Sequence, residues 1–253
     1  MHFLVSAKIG RGGYQKNQWA KPFDTTRPMV VMRMTENLEN RKRVEDQWKS
    51  KIKIRWRKDI MKVAFIICNG ASRETFDLNK LKPYPTFGCN ALYRDWQPTW
   101  LVSIDEGITK EILESNFDNE RHIVPSEDEQ YEPAEYNPNR PRSNAGMNAI
   151  AEAIKRGYDK LYVLGMDFLL NDDNYTMSNL FDGTDNYGMD TRATENDQKA
   201  RCGYLTWFCH QHPDTSFRFV FPSDTKGFRK ISAPNVTGCY YDILDSRIDS
   251  DDL

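Results

Sequence analysis

The chain carries at residues 62–72 the stretch KVAFIICNGAS, a nearly continuous apolar run rich in β-branched residues that ends in a polar turn. Such a run predicts a strand that is covered on both faces of a sheet. Similar runs follow along the chain, and helical patterns separate them. The predicted strands lie at 62–68, 85–90, 99–105, 121–125, 159–168 and 216–222, and the main helices at 106–115, 143–158 and 194–212.

Strands that alternate with helices favour an α/β fold, with a mostly parallel sheet and helices on both of its faces. We therefore expect a Rossmann-like domain at 61–225, with 216–222 as its last core strand. Residues 1–60 differ in charge and periodicity. They predict a small N-terminal β-α-β addition, with strands at 28–34 and 51–57 around a polar helix. Residues 226–253 are interpreted as a C-terminal tail.

Composition places few limits on the partners of this protein. Its 253 residues are 39% hydrophobic and carry a net charge of −2, so bulk charge indicates no particular partner. Residues 41–58 hold nine Lys or Arg against two acids, which permits contact with a nucleic acid. A solvated basic face is the alternative. No apolar run has the length of a membrane span or signal peptide, so we expect a soluble, cytoplasmic protein.

Several common catalytic and metal-binding patterns do not occur in the sequence. The five cysteines are scattered, and they form no CxxC pair and no zinc pattern with the four histidines. Free thiols in a reducing cytosol are the expectation. No Walker loop and no GxGxxG follows a strand. The chemistry must therefore be sought in less specific features.

Small polar residues and glycine follow one predicted strand after another. In parallel sheets, ligands bind beyond the carboxyl ends of the strands, and helix N-termini attract anions. We expect a nucleotide site at this edge, with Ser143 also acting as a helix N-cap. Each residue alone is also compatible with an ordinary turn or cap. The candidates are Asn69, Gly70, Ser72, Asn90, Asp105, Ser143, Asn144, Gly146 and Asp167.

Two segments resemble bacterial lipooligosaccharide sialyltransferases. Residues 62–95, KVAFIICNGASRETFDLNKLKPYPTFGCNALYRD, are similar to the family's opening strand, its GNGPS-like loop and its second strand that ends in Cys-Asn. Residues 142–168, RSNAGMNAIAEAIKRGYDKLYVLGMDF, resemble a later segment that ends in G-x-D-F. The likeness covers 62–168 and extends more weakly to 222. Motility accessory factor domains, archaeal hydroxymethylpterin pyrophosphokinases and putative glycosyltransferases of large phages are similar too.

The resemblance implies an inverting, metal-independent glycosyltransferase without a cofactor, in the host cytoplasm if a phage encodes it. A CMP-linked sugar is the favoured donor, and a glycan the favoured acceptor. Asn69, Gly70, Asn90, Ser143 and Gly146 fall on the family's donor positions. Tyr175 and Tyr187 correspond to lid tyrosines that hold the donor phosphate.

The family's histidine base has no counterpart in this sequence. A carboxylate that is partly buried, with a raised pKa, could replace it. Glu195 is the first candidate and Asp190 the reserve. Three alternatives stay open: transfer to modified DNA bases, a Mg²⁺-dependent pyrophosphokinase-like reaction with Asp105 and Asp167 as ligands, and a nucleotide-binding structural or regulatory protein.

Overall fold

One parallel sheet organises the protein. The computed structural model describes residues 61–130, 143–170, 178–188 and 193–253. All pairings in its seven-stranded sheet are parallel, which confirms the predicted fold class. The strands are β1 (Val63–Ile67), β2 (Thr86–Cys89), β3 (Trp100–Val102), β4 (His122–Ile123), β5 (Lys160–Leu164), β6 (Ser216–Phe221) and β7 (Val236–Tyr240).

The strands lie in the order β4-β3-β2-β1-β5-β6-β7. β1 occupies the centre, where Phe65 lies opposite Thr86 of β2 on one side and opposite Tyr162 of β5 on the other. The chain first builds the sheet outward from β1 to β4. It then returns to the other side of β1 and builds outward again to β7.

Helices follow most of the strands, as the alternating pattern predicts. The α-helices of the described residues are α1 (Glu106–Glu114), α2 (Glu127–Gln130), α3 (Ala145–Lys155), α4 (Glu195–Gln211) and α5 (Tyr241–Asp249). Short 3-10 helices lie at Ala71–Thr75, Leu78–Leu81, Asn90–Arg94, Asn119–Arg121 and Asp167–Leu169.

The core has two layers because successive side chains of a strand point to opposite faces. Ala64 and Ile66 of β1 pack in a cluster with side chains of α3 and α4. Phe65 and Ile67 pack in a second cluster with side chains of α1 and α5. Since β1 is covered on both faces, its sequence is a continuous apolar run rather than an alternating one.

The interpretation of residues 226–253 as a tail is wrong, and 216–222 is not the last core strand. β7 pairs with β6 along its whole length, and α5 then packs on the sheet. Leu244 is fully buried, and the hydroxyl of Tyr241 donates to the carbonyl of Ser72 at 2.9 Å. The C-terminal segment is therefore part of the domain.

The predicted cap of α3 is also wrong by one residue. Asn144 is the N-cap, and its Oδ1 accepts a hydrogen bond from the Met147 amide at 3.0 Å. Ser143 is buried one position earlier. The helix ends at Lys155, and Gly157 follows with φ +82°, the left-handed conformation that ends many helices.

Several predictions fall on other parts of the chain. The strands and helix predicted within residues 1–60, and the basic stretch 41–58, lie outside the described residues. Among the residues that are described, no helix combines the length and apolar character needed to cross a membrane. All five cysteines are free thiols.

Candidate functional site

A cleft of about 680 Å³ lies at the carboxyl edge of the sheet. The strand order reverses between β1 and β5, and in open α/β sheets this reversal separates the loops and leaves a crevice for ligands. Most of the residues predicted from the sequence line this one cleft. They are Asn69, Gly70, Asn90, Asp105, Ser143, Asn144, Gly146, Asp167 and Tyr187.

The floor of the cleft forms where the loops after β1 and β5 touch through their backbones. The Gly70 amide donates to the Gly165 carbonyl at 3.0 Å. A Cβ on Gly70 would lie 2.5 Å from that carbonyl oxygen and 2.5 Å from Oδ2 of Asp167. Gly165 has φ +68°, and a Cβ there would meet the Cys68 carbonyl oxygen at 2.6 Å. Both glycines are thus required by the close approach of the two loops.

Asp167 joins the same two loops through its carboxylate. The Ser72 amide donates to Oδ2 at 2.8 Å, and the Ser72 hydroxyl donates to Oδ1. Burial raises the pKa of Asp167 to about 6, and the hydrogen bonds from Ser72 oppose that rise. Ser72 itself lies behind the cleft, so its role is to hold Asp167.

Asn69 is fixed by hydrogen bonds at both ends of its amide. Its Nδ2 donates to the Cys89 carbonyl at 2.8 Å and so connects the ends of β1 and β2. Its Oδ1 accepts a hydrogen bond from Nη2 of Arg73 at 3.4 Å. Arg73 is held in turn, because its Nε donates to the Cys68 carbonyl at 2.7 Å. The Asn69 amide is therefore positioned before any ligand arrives.

Asn90 follows β2 in a left-handed conformation with φ +46°. Its Nδ2 lies 3.4 Å from Oδ2 of Asp105, the N-cap residue of α1. Its Oδ1 is buried and has no hydrogen-bond partner in the described structure. A buried amide oxygen without a partner is uncommon in folded proteins, and the Asn90 residue that carries it lines the cleft.

Tyr187 closes the cleft beside Asn90. Its hydroxyl accepts a hydrogen bond from the Ala91 amide at 3.4 Å. Burial raises the pKa of this hydroxyl, while the amides of Ala91, Asn90 and Asn69 act in the opposite direction. The predicted lid tyrosine is therefore a half-buried wall residue, and Tyr175 lies outside the described residues.

Arg94 holds the turn segment, residues 178–188, that carries Tyr187. The Arg94 guanidinium binds both carboxylate oxygens of Glu111, at 2.6 and 2.5 Å. It also donates to Oγ1 of Thr184 at 2.8 Å and to the Asp185 carbonyl at 2.9 Å. A planar guanidinium makes such a forked set of bonds, whereas lysine does not.

The N-terminal ends of α1, α3 and α4 all border the cleft. Residues from the first turns of these helices line it, including Gly107, Gly146 and Gln198. Each helix N-terminus carries partial positive charge. At α4 the Thr194 hydroxyl and the Asp197 carboxylate form a capping box that satisfies part of the helix end.

Sequence reasoning missed Arg201, which lines the cleft from the second turn of α4. Burial lowers the pKa of its guanidinium. The polar pattern of α4 resembles a solvated helix face, and the predicted binding residues were confined to the ends of strands and the starts of helices. The sequence of α4 therefore provides no signal that would have singled out Arg201.

Glu195 does not have the properties expected of the catalytic base. Its side chain is 69% exposed and pairs with Lys199 at 3.0 Å. The hydrogen bond from Lys199 lowers its pKa, so Glu195 is a weaker base than a free carboxylate. It does not line the cleft, and Asp190 lies outside the described residues.

A second cavity of about 500 Å³ lies over β6 and β7. Phe221 and Phe228 stack there with ring centroids 5.0 Å apart. It holds neither the loop after β1 nor the start of α3, so we place the functional site in the cleft. No group of three or more metal-ligating side chains occurs among the described residues.

A comparison with protein-family models, curated proteins and solved structures finds no match to this chain. The fold and the cleft therefore rest on the structure alone, and the sialyltransferase-like assignment stays a prediction.

Proposed function

We propose that the protein is a glycosyltransferase that takes a sugar from a nucleotide-sugar donor bound in the cleft. The observation that carries this proposal is the position of the cleft, at the strand reversal and beside three helix N-termini. Such positions bind the phosphates of nucleotides in α/β proteins. The volume of about 680 Å³ falls in the range of small-molecule sites.

The resemblance of residues 62–168 to sialyltransferases supports a CMP-linked sugar as donor. A glycan is the favoured acceptor. A modified DNA base is an alternative acceptor that the basic residues 41–58 would bind, and both acceptors are predictions.

Asp167 replaces Glu195 as the proposed base. The acceptor hydroxyl attacks the anomeric carbon, the bond from that carbon to the phosphate oxygen breaks, and the acceptor proton passes to the Asp167 carboxylate. Asp167 lines the cleft, and with a pKa of about 6 it is ionised at neutral pH yet basic enough to accept a proton.

A thermal-shift screen of CMP, UDP, GDP, ADP and their sugars, with and without Mg²⁺, tests donor binding. We expect one nucleotide and its sugar to raise the melting temperature without Mg²⁺. No shift with any of these ligands would contradict the proposal.

Two variants then test the base. Asp167→Asn should bind donor and lose transfer, whereas Glu195→Gln should keep both, because Glu195 is exposed and ion-paired. Full transfer by Asp167→Asn would exclude Asp167 as the base. Donor binding by the wild type without transfer to any acceptor would favour a structural or regulatory nucleotide-binding protein.

A Mg²⁺-dependent nucleotide enzyme is the second candidate, because Asp105 and Asp167 line the same cleft. Magnesium is commonly held by one or two carboxylates together with substrate phosphates. Loss of nucleotide binding in EDTA, with recovery on adding Mg²⁺, would favour this reaction over metal-independent transfer.

A further inference from the structure

Arg201 is a partly buried cation that the fold leaves with little compensation. It projects from α4 into the cleft. Within the part of the chain that the structure describes, it makes one hydrogen bond, from Nη1 to Oε1 of Gln198 at 3.2 Å, and no ion pair. A guanidinium has five N–H donors, so most of them are available to the cleft.

Three other shielded arginines of the described residues have strong partners, whereas Arg218, which does not line the cleft, donates to Oγ1 of Thr237 and leaves its Nε without a partner. Arg94 binds both oxygens of Glu111. Arg121 donates from Nε to the Thr99 carbonyl at 2.7 Å, and Arg73 donates to the Cys68 carbonyl at 2.7 Å. Taking a charge out of water costs free energy unless an opposite charge or hydrogen bonds compensate for it. Because Arg201 lines the cleft, an anion that arrives with the ligand can supply the partner that the fold does not.

The carboxylates of Asp197 and Asp105 raise the pKa of Arg201 against the effect of burial, but neither forms an ion pair with it within the described residues, and other acidic side chains of the cleft bind other groups. Asp167 accepts two hydrogen bonds from Ser72, and Asp182 accepts one from the Asn179 amide at 3.0 Å. Asp197, one helical turn before Arg201, accepts from Thr194 in the capping box.

The cleft is chemically different on its two sides. Towards β1 and β2 it presents the amides of Asn69 and Asn90 and the hydroxyl of Tyr187, with the Asp105 carboxylate beside Asn90. Towards α4 it presents the cation of Arg201.

We propose that Arg201 binds the phosphate of the ligand, with Gln198 orienting its guanidinium and the nucleoside lying towards Asn69, Asn90 and Tyr187. This inference rests on the proposed function, since it assigns the phosphate end of the donor in the same cleft. It makes the charge of the ligand, rather than its sugar, the main determinant of affinity.

Calorimetric titration of the full chain with CMP and cytidine tests the assignment. The wild type should bind CMP more tightly than cytidine. Arg201→Gln should weaken CMP binding by about ten- to a hundredfold, the usual range for a lost charge-assisted hydrogen bond, and leave cytidine binding unchanged. The affinity of Arg201→Lys for CMP should lie between those of the wild type and Arg201→Gln. Lys199→Gln is the matched control, because Lys199 is exposed on the same helix, and it should bind as the wild type does.

The ligand-free melting temperature separates this role from a structural one. Arg201→Gln removes an uncompensated cation, so it should melt at or above the temperature of the wild type. A clear loss of stability, or an unchanged preference for CMP over cytidine, would overturn the assignment.

Inorganic pyrophosphate distinguishes failure of this inference from failure of the proposed function. Binding of pyrophosphate that depends on Arg201, in a protein that binds no nucleotide, would support the anion site and contradict the nucleotide donor. Nucleotide binding that is indifferent to Arg201 would leave the proposed function standing and overturn the role of Arg201.

Discussion

Gly70 and Gly183 separate two reasons for which a chain needs glycine. Gly70 has an ordinary φ of −63°, but a Cβ there would lie 2.5 Å from Oδ2 of Asp167. Gly183 has φ +81° and open space around its Cβ position. Gly70→Ala should lower the free energy of unfolding by about 3 kcal/mol, because buried atoms must move. Gly183→Ala should cost about 1 kcal/mol of backbone strain.

Urea denaturation of the two glycine variants measures this difference. Nucleotide binding should fall in Gly70→Ala alone, since only that change displaces Asp167. Equal losses of stability in both variants would show that the two loops are not in close contact.

The pKa of Asp167 predicts how transfer depends on pH. The rate should rise as Asp167 ionises near pH 6 and level off above it, with about a tenth of the maximal rate at pH 5. The native pKa lies above the ordinary value of 3.8, so the contribution of Asp167 to stability falls as pH rises from about 4 to about 6. A gain in rate over that interval cannot therefore come from stabilisation of the fold by this group. Measuring kcat/KM from pH 5 to pH 8, over a range in which the donor still binds, tests this pH dependence. A flat profile would exclude Asp167 as the base.

At the scale of elements, Arg94 connects α1 to the turn segment 178–188. Arg94→Lys loses the fork to Glu111 and the bonds to Thr184 and Asp185. We expect about 1 kcal/mol less stability and about a three- to tenfold loss of nucleotide affinity, since Tyr187 would be held less firmly.

The control for Arg94 is Lys110→Gln on α1. Lys110 pairs with Glu114 at 3.9 Å, and both side chains are largely exposed, so its loss should change little. Calorimetry measures the stability and the nucleotide affinity of each variant, and limited proteolysis within 178–188 shows how firmly the segment is held. Unchanged proteolysis in Arg94→Lys would mean that other contacts hold the segment.

The sequence predicts strands well where both faces of the strand are buried. β1 and β5 are short, mostly apolar runs bounded by turn residues, a pattern typical of buried strands, and β6 is apolar except for Ser216 and Arg218. β7 reads VTGCY, an edge strand with small and polar residues of which only Cys239 is buried. α5 buries Tyr241 and Leu244 on one side of an otherwise acidic helix, so its sequence resembles a solvated tail.

The sequence likewise predicts part of the candidate site and misses the rest. Residues at the ends of strands could be placed together because parallel strands end at one edge. Arg201 reaches that edge from the side of a helix, whereas Glu195 is exposed and does not line the cleft. Both depend on the rotation of α4 about its axis, for which a polar helix with little amphipathic pattern provides no signal.

For the whole molecule, the reversal of strand order connects the fold to the function. β1 lies between β2 and β5, so the loop after β1 can contact cleft residues from both halves of the sheet. Asn69 contacts β2 through Cys89, and Gly70 contacts the loop after β5 through Gly165. A substitution that shifts either half of the sheet should therefore alter the geometry of the cleft.

The last prediction concerns the two ends of the domain. A fragment of residues 61–253 contains all seven strands of the sheet that the structure describes and should unfold cooperatively and bind nucleotide. A fragment of residues 61–225 lacks β7 and α5. It exposes the edge of β6 and loses the buried Leu244 and the hydrogen bond from Tyr241 to Ser72, so it should be molten or aggregated.

Tyr241→Phe in the longer fragment removes only the hydroxyl and should lower the free energy of unfolding by about 1 kcal/mol. Calorimetric melting and nucleotide titration compare the three proteins. If the shorter fragment melts and binds as the longer one does, β7 and α5 are dispensable and the C-terminal segment is a tail after all. If the longer fragment itself fails to fold, residues 1–60 are required by the domain rather than added to it.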